Sequence, residues 1–238
     1  MYKRKSLLVI LPHPDDESFP MGGTLAKYAA NHFHVTLVCA TRGEAGIEGL
    51  NPEETGRIRE GELRRAASEL GLDEVRFLDY RDGTLAQVNA EEFIERLAGI
   101  LRDLKPDVVL TFGPDGISGH PDHVTLSARV TQAFDHAALP KARLYYLAPS
   151  EATLQGCGVV PSQEAAGGPV ASIDITDYRL PKLRAMQCHA SQNPPFKGEP
   201  DREIENLACH EYFVLARPFG NYADTTGLFD HILELQKE

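Results

Sequence analysis

Ser6–Leu11 (SLLVIL) is an apolar run without polar interruption, and Pro12 ends it. Such a run predicts a strand buried on both faces, because a half-exposed strand would alternate. Gly22–His32 places Leu25, Tyr28 and Ala29 on one face and predicts a helix. His34–Thr41 (HVTLVCAT) predicts a second strand. Arg57–Gly71 is an amphipathic helix that Gly71 stops. Glu74–Tyr80 predicts a short strand. Ala90–Leu104 predicts a helix whose first-turn acids suit the positive end of its dipole. Pro106–Phe112, Pro121–Phe134 and Ala142–Ala148 then predict strand, helix and strand.

This alternation over residues 1–150 implies an α/β, Rossmann-like doubly wound fold. Its sheet is mostly parallel, with helices on both faces. Such folds bind ligands at the carboxyl ends of their strands. His13 follows the first strand there, Arg42 and Glu44 the second, and Asp115 to His123 the Pro106–Phe112 strand. Residues 151–238 are less regular. Leu154–Pro169 reads as a loop, Ala171–Thr176 as a short strand, Tyr178–Ala190 as a helix with a proline near its start, and Asn193–Asp201 as an exposed loop. Glu211–Ala216 reads as a strand and Thr225–Glu238 as a terminal helix. With no long linker, low-complexity tract or internal repeat, residues 1–238 are expected to form a single domain, the irregular C-terminal part completing the sheet and pocket.

Charge narrows the function. The 238 residues carry 24 basic and 35 acidic side chains, a net charge of −11, which disfavours a protein that tracks phosphates and so needs a basic stripe. Apolar residues, 42% of the chain, are enough for a sizeable core. Cys39, Cys157, Cys188 and Cys209 form no C-x-x-C pair and suggest no disulfide scaffold; Cys39 lies in a strand-like run and reads as core. The N-terminal apolar run, about six residues, is shorter than a signal-peptide core. No run approaches the ~18 residues of a membrane helix. A cytoplasmic protein with no nucleic-acid or membrane partner is expected.

Two related motifs carry the chemistry, HPDDE (His13–Glu17) and GHPDH (Gly119–His123). Each stands where a strand ends and a helix is expected. Pro14 and Pro121 suit a first helical turn or a rigid turn, where no N–H is needed. Three adjacent acids, Asp15, Asp16 and Glu17, repel one another, and a dication would reconcile them. Zn²⁺ takes imidazole nitrogen and carboxylate oxygen, and a catalytic site keeps three protein ligands. His13 and Asp16, three residues apart, can reach one ion, and His120 or His123 can supply the third ligand. An unligated carboxylate beside the ion can act as general base on its water, and Asp15 is the candidate. These residues alone specify a metal-assisted hydrolase.

PHPDDESFPMGGTLAKYA (Pro12–Ala29) and GHPDHVTLS (Gly119–Ser127) together resemble the two signature motifs of the LmbE-like (PIG-L) zinc-dependent N-deacetylases. TRGEAG (Thr41–Gly46), RDGTL (Arg81–Leu85) and HASQ (His189–Gln192) fall in the family's order, so the resemblance spans about residues 6 to 192. The family fold is a Rossmann-like sandwich. Its activity is removal of acetyl from an N-acetylated amino sugar, usually an N-acetylglucosamine conjugate. The resemblance implies His13, Asp16 and His123 as zinc ligands, Asp15 as the base, and protonated His120 as stabiliser of the oxyanion or donor to the leaving amine. It implies that Arg59 reaches the sugar and that Asp122 orients a histidine. Arg42 and Glu44 are placed to line the sugar pocket, Asp82 to bond a hydroxyl or make a turn, and His189 to close the pocket. Glu17 is expected to be structural. Fe²⁺ or another divalent metal could replace zinc, and family members assemble as trimers or hexamers, so a homo-oligomer is expected.

Gly46–Thr55 (GIEGLNPEET) is longer than the compact form of its loop, and Asp115 precedes the second motif in an altered approach. Both departures sit at the pocket rim and bear on substrate identity. The longer loop resembles that of the bacillithiol- and mycothiol-pathway branch, which acts on N-acetylglucosaminyl malate or inositol conjugates. The alternative within the same chemistry is a zinc amidase or esterase acting on a thiol conjugate or another N-acyl compound. A nucleotide-binding sensor would need a glycine-rich turn after the first strand, where HPDDESF stands instead. A non-haem iron oxygenase shares the two-His-one-carboxylate set, but Asp15 beside it favours hydrolysis.

Overall fold

The computed structural model describes residues 4–148, 170–194, 198, 203–218 and 227–229. Its elements are β1 (Ser6–Leu11), α1 (Gly22–Ala30), β2 (His34–Thr41), α2 (Pro52–Leu70), β3 (Glu74–Tyr80), α3 (Ala90–Leu104), β4 (Val108–Phe112), α4 (Pro121–Ala137), β5 (Arg143–Leu147), β6 (Val170–Asp174), α5 (Arg179–Cys188) and β7 (His210–Arg217), with short 3₁₀ turns between some of them. The strands form one seven-stranded sheet in the order β3-β2-β1-β4-β5-β7-β6. β1 to β5 are parallel, and β7 runs antiparallel between β5 and β6. This is the α/β fold expected from the alternation.

The uninterrupted apolar strands are explained by burial on both sides. Leu7, Val9 and Leu11 of β1 pack on one face with Leu25 of α1 and Leu63 and Leu70 of α2. Leu8 and Ile10 pack on the other with Phe93, Leu97 and Leu101 of α3 and Leu126 and Val130 of α4. Cys39 is buried in the first of these clusters, as read from its strand. After β3 the chain crosses back to place β4 on the far side of β1. The carboxyl ends of β1 and β4 therefore bound the crevice where the winding reverses, the place such sheets reserve for ligands. β1 delivers His13 to it, and β4 leads into the loop that ends at His120, the cap of α4, whose first turn carries His123.

Local differences from the sequence reading have physical causes. α2 begins at Pro52 rather than Arg57: Asn51 caps it by accepting the Glu54 N–H at 2.9 Å, with proline at the first turn. The apparent long loop Gly46–Thr55 is thus partly helix. Pro121 opens α4 as expected, but Pro14 opens no helix. Residues 12–21 run through turns, with the Asp15 carbonyl accepting the N–H of Ser18 (2.9 Å) and of Phe19 (3.3 Å). The expected terminal helix Thr225–Glu238 and the loops Leu154–Pro169 and Asn193–Asp201 lie largely outside the described residues. No helix among the described residues is long and apolar enough to cross a membrane.

Candidate metal and deacetylase site

The two H-P-D motifs meet. His13 Nδ1 lies 3.2 Å from His123 Nε2, and Asp16 presents Oδ2 at 3.6 Å from His13 Nδ1 and Oδ1 at 3.5 Å from His123 Nε2. The far side of each ring decides what these atoms are. His13 Nε2 sits 3.0 Å from Asp82 Oδ1 and 3.2 Å from Asp122 Oδ2, both acceptors, so Nε2 carries a proton. His123 Nδ1 faces the Gly116 carbonyl at 3.2 Å and carries its proton there. When both rings are neutral, two lone pairs and a carboxylate converge with no donor among them. Tetrahedral donors at zinc distances of ~2.0–2.2 Å stand about 3.3–3.6 Å apart, close to the 3.2 Å between the two ring nitrogens, while Asp16 meets each nitrogen with a different oxygen and can close the set with one or both of them.

Two other groupings are geometrically close: His13 with His120 and His123, and His13 with Asp82 and Asp122. Their surroundings separate them from the first. His120 caps α4, its Nδ1 accepting the Asp122 N–H at 3.2 Å, so the neutral ring holds its proton on Nε2. Asp82 and Asp122 stand behind His13 and are occupied. Asp122 accepts the N–H of Gly83 at 2.7 Å and of Leu85 at 3.0 Å, while Asp82 accepts that of Ala45 at 3.0 Å. They orient the ring, as carboxylates behind metal-binding histidines do.

The charges follow from this packing. Burial works against a charged His13, but the bonds to Asp122 and Asp82 and the charge of Asp16 outweigh it and push its pKa up to about 10. Burial and the neighbouring His13 pull His123 down to about 4. Without an ion the pair thus holds one positive charge. Burial and the adjacent Asp15 carboxylate raise Asp16. Burial raises Asp82 too, but His13 prevails and brings it down to about 2.

Asp15 is held apart from this cluster. Its backbone has φ 114°, a left-handed conformation costing an ordinary residue on the order of 1–3 kcal/mol. Arg59, 4% exposed, reaches it from α2: Nη2 donates to Asp15 Oδ2 at 3.0 Å and to the Pro14 carbonyl at 2.5 Å, and Nη1 to the Gly43 carbonyl at 3.0 Å. Burial raises the Asp15 pKa against the pull of that guanidinium, so this carboxylate takes up a proton more readily than an exposed one. His13, Asp15, Asp16, Arg59, Asp82, His120 and His123, with Ala45, Gly46 and Gly83, line one cleft of about 350 Å³. That is the size of a small-molecule site.

Residues 8–134 match the PIG-L family, described as GlcNAc-PI de-N-acetylase. The chain belongs to the PIG-L family of N-deacetylases. It is 32% identical over 92% of its length to a 1D-myo-inositol 2-acetamido-2-deoxy-alpha-D-glucopyranoside deacetylase from Saccharomonospora viridis, 98% of which is covered. It is 33% identical over 93% of its length to a protein from Bacillus anthracis named "Probable N-acetyl-alpha-D-glucosaminyl L-malate deacetylase 2", 97% of which is covered. Its fold matches the N,N'-diacetylchitobiose deacetylase of Pyrococcus horikoshii with a TM-score of 0.66 and 26% identity, over 96% of this chain and 86% of that one.

Three residues expected at the sugar pocket of this deacetylase stand elsewhere. Arg42 stacks over the Phe77 ring at 5.0 Å and pairs with Glu60 at 2.6 Å and with Asp79, and it does not line the cleft. Glu44 accepts the Asp82 N–H at 3.2 Å and props that loop. His189 is wholly buried and donates to Glu17 Oε1 at 2.7 Å beneath the HPDDE turn. Arg59 and Asp82 do line the cleft, but here they bond Asp15 and His13. Glu17 is wholly buried.

The sequence reading missed three glycines. A Cβ on Gly43 would stand 2.1 Å from Arg59 Nη1, and one on Gly46 2.3 Å from the same atom. A Cβ on Gly116 (φ 63°) would stand 2.7 Å from the His123 Cβ. The glycines of TRGEAG and of GPDGISGHPDH were the available signal, but a glycine alone does not say which side chain needs its space.

Proposed function

We propose that this N-deacetylase removes the acetyl group from an N-acetylglucosamine conjugate, with His13, Asp16 and His123 holding a divalent ion, Zn²⁺ by donor chemistry, and Asp15 acting as general base. The observation that carries the reading is the convergence of two imidazole lone pairs and a carboxylate, with a strained, arginine-clamped aspartate lining the same cleft. A bound ion supplies Lewis-acid polarisation of the acetamide carbonyl and acidifies a water. Asp15 takes the proton of the attacking water and can pass it to the departing amine. His120, its Nδ1 occupied by the helix cap, offers Nε2–H to the oxygen that gains charge at the tetrahedral stage. Asp82 and Asp122 keep His13 in the tautomer that frees Nδ1. Arg59 holds Asp15 in line.

The relatives' names point to glucosaminyl conjugates with polar aglycones, and the cleft is polar enough to receive one. The test is to incubate zinc-loaded protein with 1D-myo-inositol 2-acetamido-2-deoxy-α-D-glucopyranoside and with N-acetyl-α-D-glucosaminyl L-malate. Equal amounts of acetate and free amine from at least one support the reading. No turnover of either, with release of a larger acid from other N-acyl compounds, would turn it to a different amidase.

A further inference from the structure

Glu17 and His189 lie below the cleft, and the chemistry above does not use them. Both are wholly buried. Glu17 spends its two oxygens differently. Oε1 accepts from His189 Nε2 at 2.7 Å and from the Ser18 hydroxyl, whereas Oε2 accepts the backbone N–H of Asp15 at 3.0 Å. That N–H belongs to the residue whose φ is 114°. Among the described residues His189 Nδ1 has no hydrogen-bond partner, so Glu17 is the polar contact that the ring makes there.

His189 is itself firmly placed. It ends α5, its N–H on the Met186 carbonyl at 3.2 Å, and its ring lies 6.4 Å from that of Phe19. Two residues on, Ser191 donates its N–H (2.8 Å) and hydroxyl (2.6 Å) to Glu62 of α2, the helix that carries Arg59. Gln192 donates to the carbonyl of Gly46, a residue of the cleft wall, at 3.2 Å. The segment His189–Gln192 thus grips the base turn, the arginine helix and the cleft wall at once.

We propose that His189 is a positioning residue for Asp15: through Glu17 it fixes the Asp15 peptide in its left-handed conformation, so that the carboxylate meets Arg59 and the attacking water. Asp15 is then held from two sides, by Arg59 at its carboxylate and by Glu17 at its peptide. His189 touches neither substrate nor metal. The inference rests on Asp15 being the general base. It gives HASQ a role distinct from closing the sugar pocket.

The experiment is a kinetic cycle on the zinc-loaded protein with N-acetyl-α-D-glucosaminyl L-malate or the inositol conjugate, whichever is turned over. His189→Leu should lower kcat by roughly 10- to 100-fold, the scale of a small misplacement of a reacting group. KM should stay within about twofold and zinc near one equivalent, as expected when only transition-state alignment is lost. His189→Gln, whose amide nitrogen can take the place of Nε2, should recover most of kcat, and His189→Asn, too short to reach, should not. In an Asp15→Asn background, His189→Leu should cost almost nothing further. Should His189→Leu not fold, the Gln and Asn variants carry the comparison. An undiminished kcat in His189→Asn would overturn the proposal, as would an equal loss with and without Asp15. If Asp15→Asn alone keeps full turnover, the base assignment itself fails, an outcome distinct from either.

Discussion

At the residue scale, each of the three adjacent acids faces a different neighbour. Asp16 points at two imidazole nitrogens, Asp15 at Arg59, and Glu17 at His189. Under the proposed mechanism Asp15→Asn keeps the shape and removes the base, so turnover of the zinc-loaded protein should fall by ~10²–10⁴ with its zinc content unchanged, as read by metal analysis beside an amine-release assay. Loss of zinc in that variant would mean that ligand and base are exchanged. Gly116 holds His123 through its carbonyl and has no room for a methyl group. Gly116→Ala should therefore weaken zinc binding by roughly 10- to 100-fold, the usual effect of disturbing a ligand's hydrogen-bond partner. Competition with a chromogenic chelator measures it, and unchanged affinity would show that the ring needs no such support.

At the element scale, the strands and most helices were legible because burial on both sheet faces leaves continuous apolar runs. Ser6–Leu11 and His34–Thr41 match their observed bounds. The start of α2 was less legible: Asn51 and Pro52 are its signal, yet Glu53, Glu54 and Thr55 carry no apolar stripe, so periodicity begins only later. Asn51→Ala should cost about 1 kcal/mol, the worth of such a cap, in urea unfolding followed by circular dichroism. No loss there would mean that α2 is started by tertiary contacts alone. In the site, the residue types were legible and the directions were not. Arg42 and Glu44 follow a strand as pocket residues should, but Phe77 and the Asp82 loop claim them first. His189 lies far along the chain from its partner Glu17, and the packing of α5 on α1 and α2 brings the two together.

For the whole molecule, the sheet brings His13 and Asp16 of one motif to His123 of the other in one crevice, and the C-terminal part fastens the turn beneath it. That fastening should depend on pH. Burial would lower the His189 pKa, but the charge of Glu17 and its hydrogen bond raise it above 6.5. Burial would raise Glu17, but His189 brings it below 4.5. A raised histidine stabilises the fold fully below its unfolded value and loses that contribution as pH rises through the folded one. A lowered carboxylate does the reverse on the acid side. The pair should hold best between about pH 4.5 and 6.5. Urea midpoints across pH should then fall above 6.5 more steeply in the native chain than in His189→Gln; identical slopes would remove the pair from the stability of the fold.

The central claim is that the crevice between β1 and β4 hydrolyses an N-acetyl group with a bound divalent ion. The most direct test is acetate release from N-acetyl-α-D-glucosaminyl L-malate and the inositol conjugate while zinc is titrated into chelator-stripped protein. Activity on at least one of them should rise from near zero and saturate at one equivalent, and His123→Ala should abolish the rise. Full activity in the stripped protein, or a titration indifferent to His123, would contradict the account.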